Sequence, residues 1–274
     1  MSFLPTSRVY GTVLAFTAAL AMLFLAPSAH AAAPAKPSKP TVVLVHGAWA
    51  DGSSWAGVTR TLQSDGYTVA VPPNPLRGLQ ADAAYLASYL KTIHGPIVLA
   101  GHSYGGAVIT DAATGNANVK ALVYVDAFIP DKGDSVLSLL TPKDPSQPGL
   151  DPKALFDIVP FPGAPEGVAD LYFKRAAFPS ALANDLPKRE AAVLAATQRP
   201  IAANALSEQT VAPAWKTIPA WAVIGTEDHI IPPALQTFMA NRAKARISKI
   251  KGSHLSLISH PTAVAKVIRA AAKR

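Results

Sequence analysis

The apolar run Ile97-Val98-Leu99-Ala100 passes without a spacer into Gly101-His102-Ser103-Tyr104-Gly105-Gly106. No other feature constrains the fold of this chain as strongly. A short all-apolar run predicts a strand buried on both faces, as in the middle of a parallel sheet. The residues from Tyr104 to about Ala113 predict a helix. A buried strand that turns into a helix within a few residues needs strained backbone angles at the turn. The residues two before and two after the serine crowd each other there, and Gly101 and Gly105 remove the clash. The serine hydroxyl then projects beyond the sheet edge, and the first amides of the helix point their positive dipole end at it.

The same rhythm extends in both directions. Residues 42–46 predict a buried strand ending in His46-Gly47. Asp51, Ser53 and Ser54 offer N-caps for a helix with Trp55, Val58 and Leu62 at helical spacing, stopped by Gly66. Residues 67–71 predict a strand closed by Pro72-Pro73. Asp82, Leu86, Tyr89, Leu90 and Ile93 trace another helix, and residues 121–125 a strand ending at Asp126. Such alternation implies an α/β fold, a mostly parallel sheet with helices on both faces. Residues 130–214 interrupt it with many prolines and short helical patches, which predicts an insertion that caps the sheet. The rhythm resumes with strands over 220–224 and 247–250 and helices over 233–243 and 261–272.

The N-terminus predicts export. Arg8 precedes an apolar stretch over residues 13–25, and Ala29-His30-Ala31 supplies the small residues of a cleavage site after Ala31. Residues 1–31 are thus expected to be a secretory signal, 32–40 a Pro-rich linker, and 41–274 the folded domain, secreted or periplasmic, with no stable membrane anchor after cleavage. The chain has no Cys, which excludes disulfides, thiolate-ligated zinc and a cysteine nucleophile. Its formal charge of +8 falls to about +7 without Arg8, but the bases are scattered and no nucleic-acid motif accompanies them. No histidines stand at metal-ligand spacing, so no metal is expected.

Ser103 in Gly-x-Ser-x-Gly is the candidate nucleophile. A serine hydroxyl needs a base, and the base an orienting acid, in the chain order serine, acid, histidine for this architecture. Asp228, in Gly225-Thr226-Glu227-Asp228 after the strand over 220–224, is the expected acid. Glu227 and Asp126 are its rivals. His254, in Gly252-Ser253-His254 after the last strand, is the expected base. His102 is expected to point elsewhere, and His46 to be a structural hydrogen-bonder. The backbone N–H groups of Ala48 and Tyr104 are the expected oxyanion donors. Trp49, Phe128, Phe161, Phe178 and Trp215 are candidates for lining an apolar pocket.

Together, Val-Leu-Val-His-Gly-Ala-Trp at 43–49, Gly-His-Ser-Tyr-Gly-Gly at 101–106, Gly-Thr-Glu-Asp at 225–228 and Gly-Ser-His at 252–254 resemble the α/β-hydrolase superfamily. They look like its small esterases related to plant methylesterases and hydroxynitrile lyases. The resemblance implies a parallel sheet under a helical cap, a Ser103–Asp228–His254 triad and no cofactor. The lyases carry Lys after the catalytic His, whereas this chain has Leu255. The lyases and methylesterases usually have Asp before that His, whereas this chain has Ser253. The expected activity is hydrolysis of small to medium apolar carboxylic esters through an acyl-enzyme. Amide hydrolysis, perhydrolysis, C–C lyase chemistry and a non-catalytic ligand-binding protein are the alternatives.

Overall fold

The computed structural model describes residues 39–141 and 152–273. The expected signal at 1–31 and most of the expected linker lie outside the described residues. The sheet domain begins with β1 (Thr41–Val45), α1 (Ala56–Ser64), β2 (Val69–Ala70), α2 (Leu79–Leu90), β3 (Ile97–His102), α3 (Tyr104–Ala112) and β4 (Val119–Val125). The insertion holds α4 (Val136–Leu140), α5 (Pro152–Leu155), β5 (Phe156–Val159), β6 (Asp170–Phe173), α6 (Phe178–Ala181), α7 (Lys188–Thr197), β7 (Ile201–Ala202) and α8 (Ala203–Ser207). The chain then returns to the main sheet through β8 (Ala220–Gly225), α9 (Pro233–Arg242), β9 (Arg246–Ile250), α10 (Ser256–Ser259) and α11 (Pro261–Ala272).

Six parallel strands form the main sheet in the order β2-β1-β3-β4-β8-β9. The chain steps from β1 to β2 on one side, then reverses to β3 on the other. Parallel crossovers are right-handed, so a reversal of direction moves the helices to the opposite face. Accordingly α1 packs with α11, while α2 packs with α3. The apolar runs are buried as their composition demands, with Val42, Val43, Leu44, Ile97, Leu99 and Leu122 fully enclosed. Each such side chain contributes roughly 1.5–3 kcal/mol by leaving water.

The insertion contains the expected short helices and, in addition, a three-stranded antiparallel sheet in the order β5-β6-β7. Phe156 lies opposite Phe173, and Ile158 opposite Leu171. Proline density hides this sheet in the sequence. Its strands are two to four residues long, too short for alternation to register, and β7 joins β6 only across a long detour.

Candidate active site

The reversal between β1 and β3 leaves a crevice beyond the carboxyl ends of the strands, the usual place for a site in such sheets. Ser103 stands there, between β3 and α3, at φ 53° and ψ −124°. A side chain in that region costs of order 1–3 kcal/mol. The surroundings hold it in place. A Cβ on Gly101 would lie 2.5 Å from the Gly105 carbonyl oxygen, and one on Gly105 would lie 2.7 Å from that of Val45. A Cβ on Gly47 would lie 2.7 Å from the Cβ of Ser103, so the loop after β1 runs directly against the serine. Ala48 follows in that loop. Tyr104 opens α3, and its N–H is among the helix amides with no intrahelical acceptor.

His254 follows β9 and is buried. Its Nε2 lies 2.9 Å from Ser103 Oγ, and its Nδ1 lies 2.8 Å from Asp228 Oδ2. With Nδ1–H donated to Asp228, Nε2 is left to accept the serine proton. Asp228 Oδ1 accepts the N–H groups of Ile230 at 2.8 Å and Ile231 at 2.9 Å, and Oδ2 also accepts Gln236 Nε2–H at 2.7 Å. Four donors therefore converge on one carboxylate, which fixes its plane and that of the imidazole. Burial by itself lowers the His254 pKa, but the charge and hydrogen bond of Asp228, then the charge of Asp126, outweigh it and raise the group above the usual 6.5.

A model of the alpha/beta hydrolase family matches residues 42–267. The chain belongs to the alpha/beta hydrolase family. A carbendazim hydrolyzing esterase of Nocardioides sp. (strain SG-4G) is 36% identical over 111 residues, 36% of this chain and 46% of that enzyme. The chain thus spans less than half the length of that relative. A pyrethroid hydrolase from Sphingobium faniae JZ-2 superposes with a TM-score of 0.68 at 20% identity, over 85% of this chain and 97% of that one. An extracellular alpha/beta-hydrolase from a Paenibacillus species gives 0.69 at 23% identity, over 86% of this chain and 100% of that one. At these identities the two solved structures establish the shared hydrolase fold.

Within this alpha/beta hydrolase, the rival acids occupy different places. Glu227 is half-exposed, and its side chain stands 3.8 Å from Lys251. Asp126 is fully buried but bonds Gly225 and Ser256 rather than His254. His46 donates from Nδ1 to Gly47 O at 3.0 Å and accepts Asn74 N–H at Nε2, a structural role. His102 differs from expectation. It points into the site region, donates from Nε2 to the His254 carbonyl at 2.9 Å, and sets its ring 4.9 Å from that of His254. Burial and then the neighbouring His254 push its pKa well below the usual range, so it stays neutral. Gln236 had no signal in the sequence, because only the fold of α9 brings it beside Asp228.

The candidate pocket aromatics divide. Trp49 and Phe178 line a cleft of about 20 Å³, room for about one water, with Asp51, Ser53, Gln198 and Leu255, and it includes none of Ser103, Asp228 or His254. Trp49 donates from Nε1 to Leu171 O at 2.9 Å and stacks on Phe156 with ring centroids 5.2 Å apart. Phe128 is buried beside the serine turn, its N–H donating to Ser103 O at 3.3 Å. Phe161 lies under the Arg77 guanidinium, and Trp215 donates to Pro130 O at 2.8 Å. Those two contacts fasten the insertion to the sheet domain. A larger hollow of about 460 Å³, lined by Tyr172, Arg175 and Gln198, includes none of Ser103, Asp228 or His254.

Proposed function

We propose that this alpha/beta hydrolase is a serine esterase that cleaves small to medium apolar carboxylic esters through an acyl-enzyme. The observation that carries the reading is the unbroken line Ser103 Oγ, His254, Asp228, with contacts of 2.9 Å and 2.8 Å. Ser103 Oγ attacks the ester carbonyl carbon while His254 Nε2 takes its proton. Asp228 holds the imidazole tautomer and offsets the charge on the imidazolium. The N–H groups of Ala48 and Tyr104 stabilise the tetrahedral oxyanion. The C–O bond breaks and the alcohol leaves with the proton from His254. Water then attacks the acyl carbon, giving its proton to His254, and the acid departs as Ser103 recovers its own.

The esterase relative from Nocardioides supports this reading, as does Leu255 after His254, where lyase chemistry would want a cation. The packed rings of Trp49, Phe156, Phe173 and Phe178, beside the loop that carries Ala48, favour apolar acyl or alcohol groups. Export of the chain with cleavage after Ala31 belongs to the same proposal, and the apolar stretch over 13–25 supports it. The test is a fluorophosphonate probe with a panel of p-nitrophenyl esters. Wild type is expected to be labelled at Ser103, and Ser103→Ala to lose at least about a thousand-fold in kcat. Turnover retained by Ser103→Ala overturns the reading. N-terminal sequencing of exported protein is expected to begin at Ala32, and an intact Met1 overturns the cleavage.

A further inference from the structure

Asp126, at the end of β4, is a fully buried carboxylate that the reaction as written does not use. Its Oδ1 accepts the N–H of Gly225 at 2.6 Å, at the last residue of β8 and three positions before Asp228. Its Oδ2 accepts Ser256 Oγ–H at 2.5 Å, two positions after His254. One carboxylate thus joins the turn that carries the acid to the segment that carries the base. The approach is close: a Cβ on Gly225 would lie 2.6 Å from the Ser253 carbonyl oxygen and 3.0 Å from Asp126 Oδ1.

A structural tie alone does not call for a charge. An amide or hydroxyl at this position accepts the Gly225 N–H as well, and avoids the several kcal/mol that desolvating a carboxylate costs. Among the described residues no Lys or Arg pairs with Asp126. The titratable groups around it are Asp228 after β8, His254 after β9 and His102 on β3. Asp185 of the insertion holds the same segment from its other side, through Ser253 N–H and Ser259 Oγ–H, and faces His260. Among these, the charge of Asp126 acts on the imidazole in the same direction as that of Asp228.

We propose that Asp126 is a positioning residue for the reaction: its carboxyl group clamps the Asp228 turn to the His254 segment and so holds His254 against Ser103. The proposal rests on the serine-esterase reading. Burial and then the charge of Asp228 push Asp126 itself up to about 7, so it carries its charge above neutral pH and loses it progressively below.

The test compares the full chain with Asp126→Asn and Ser256→Ala, by pH profiles of kcat and kcat/KM on p-nitrophenyl acetate and by fluorophosphonate labelling. Asn preserves the acceptor for Gly225 and removes the charge. With the Asp126 charge removed where it is carried, above about pH 7, His254 deprotonates more readily, so the acid limb of kcat/KM is expected to move to lower pH by roughly a few tenths of a unit. A fall in kcat of roughly 3- to 30-fold with KM little changed is expected beside it. Ser256→Ala keeps the charge and loosens the clamp, so kcat falls about three-fold or more with KM unchanged. A limb in Asp126→Asn that stays with wild type, or moves to higher pH, overturns the proposal. If Asp126→Asn does not fold, Ser256→Ala decides, and wild-type kcat there overturns the clamp. Failure of the probe to label wild-type Ser103 instead overturns the esterase reading, which keeps the two outcomes separate.

Discussion

Ser103 follows directly on the end of the buried strand β3, Asp228 and His254 stand on short turns after β8 and β9, and glycines bring those ends into contact. In the insertion over residues 130–214 the aromatic side chains stand instead on strands of two to four residues, with Ile158 and Val159 left exposed. The first region has almost no free space, as the near-clashes at Gly101, Gly105 and Gly225 record. The second is joined to the first through many side-chain contacts, among them Trp49 Nε1–H to Leu171 O, the Arg77–Asp170 ion pair, and Asp185 to Ser253 N–H and Ser259 Oγ–H. The contrast teaches a division of labour. The proposed proton transfer tolerates little misplacement, and the residues assigned to it sit on the most over-determined backbone. A wall that shapes a pocket needs apolar area and tolerates more variation.

The sharpest way to break this comparison is at the acid. Asp228→Asn is expected to cost roughly 10³- to 10⁴-fold in kcat, because it disturbs the tautomer of His254. Glu227→Gln, one residue away on the half-exposed side, is expected to change kcat by less than about two-fold. Equal losses in ester turnover refute the assignment of roles. Next in size is the backbone. Gly101→Ala forces a methyl against the Gly105 carbonyl and is expected to lower unfolding free energy by about 3 kcal/mol. Gly163→Ala, in the insertion, has open space around it and only a positive φ of 77° to overcome, at about 1 kcal/mol. Chemical denaturation of both variants checks the ranking, and a reversed order removes the contrast.

The pH dependence comes third. Protonated His254 cannot accept the serine proton, and its pKa is raised above 6.5. Activity is therefore expected to fall as pH drops through a midpoint above 6.5, and a limb below that value contradicts the net effect of Asp228 and Asp126. The smallest effect sharpens the comparison at its seam. Trp49→Phe keeps an aromatic ring and removes the hydrogen bond to Leu171, at a cost of about 1 kcal/mol. In steady-state kinetics KM is expected to respond more than kcat, and a loss confined to kcat places Trp49 with the rigid region instead.

Much of this was legible in the chain because it is written in a few adjacent residues. The all-apolar runs announced β1, β3 and β8, and Gly101 and Gly105 announced a turn that no side chain at those positions fits. The order of Ser103, Asp228 and His254 after the strands that became β3, β8 and β9 suggested one site. Asp228 was the expected acid, but the sequence left Glu227 beside it as a rival. Asp228 and Glu227 are neighbours of like chemistry, and only the turn after β8 sends one inward and the other to water. Asp126 was the second rival, yet its carboxylate reaches Gly225 and Ser256. His102 was expected to point away, yet it holds the His254 carbonyl.

What the sequence determined by itself is what local sterics and hydrophobic period determine: the strand–helix alternation, the strained serine turn and the place of the insertion. The tertiary structure alone decided the strand order, the antiparallel sheet within the insertion, the four donors gathered on Asp228 and the raised pKa of His254. The reason is physical. Backbone strain and apolar period act over a few residues, whereas burial, hydrogen-bond satisfaction and Coulomb fields sum over neighbours that lie far apart in the chain.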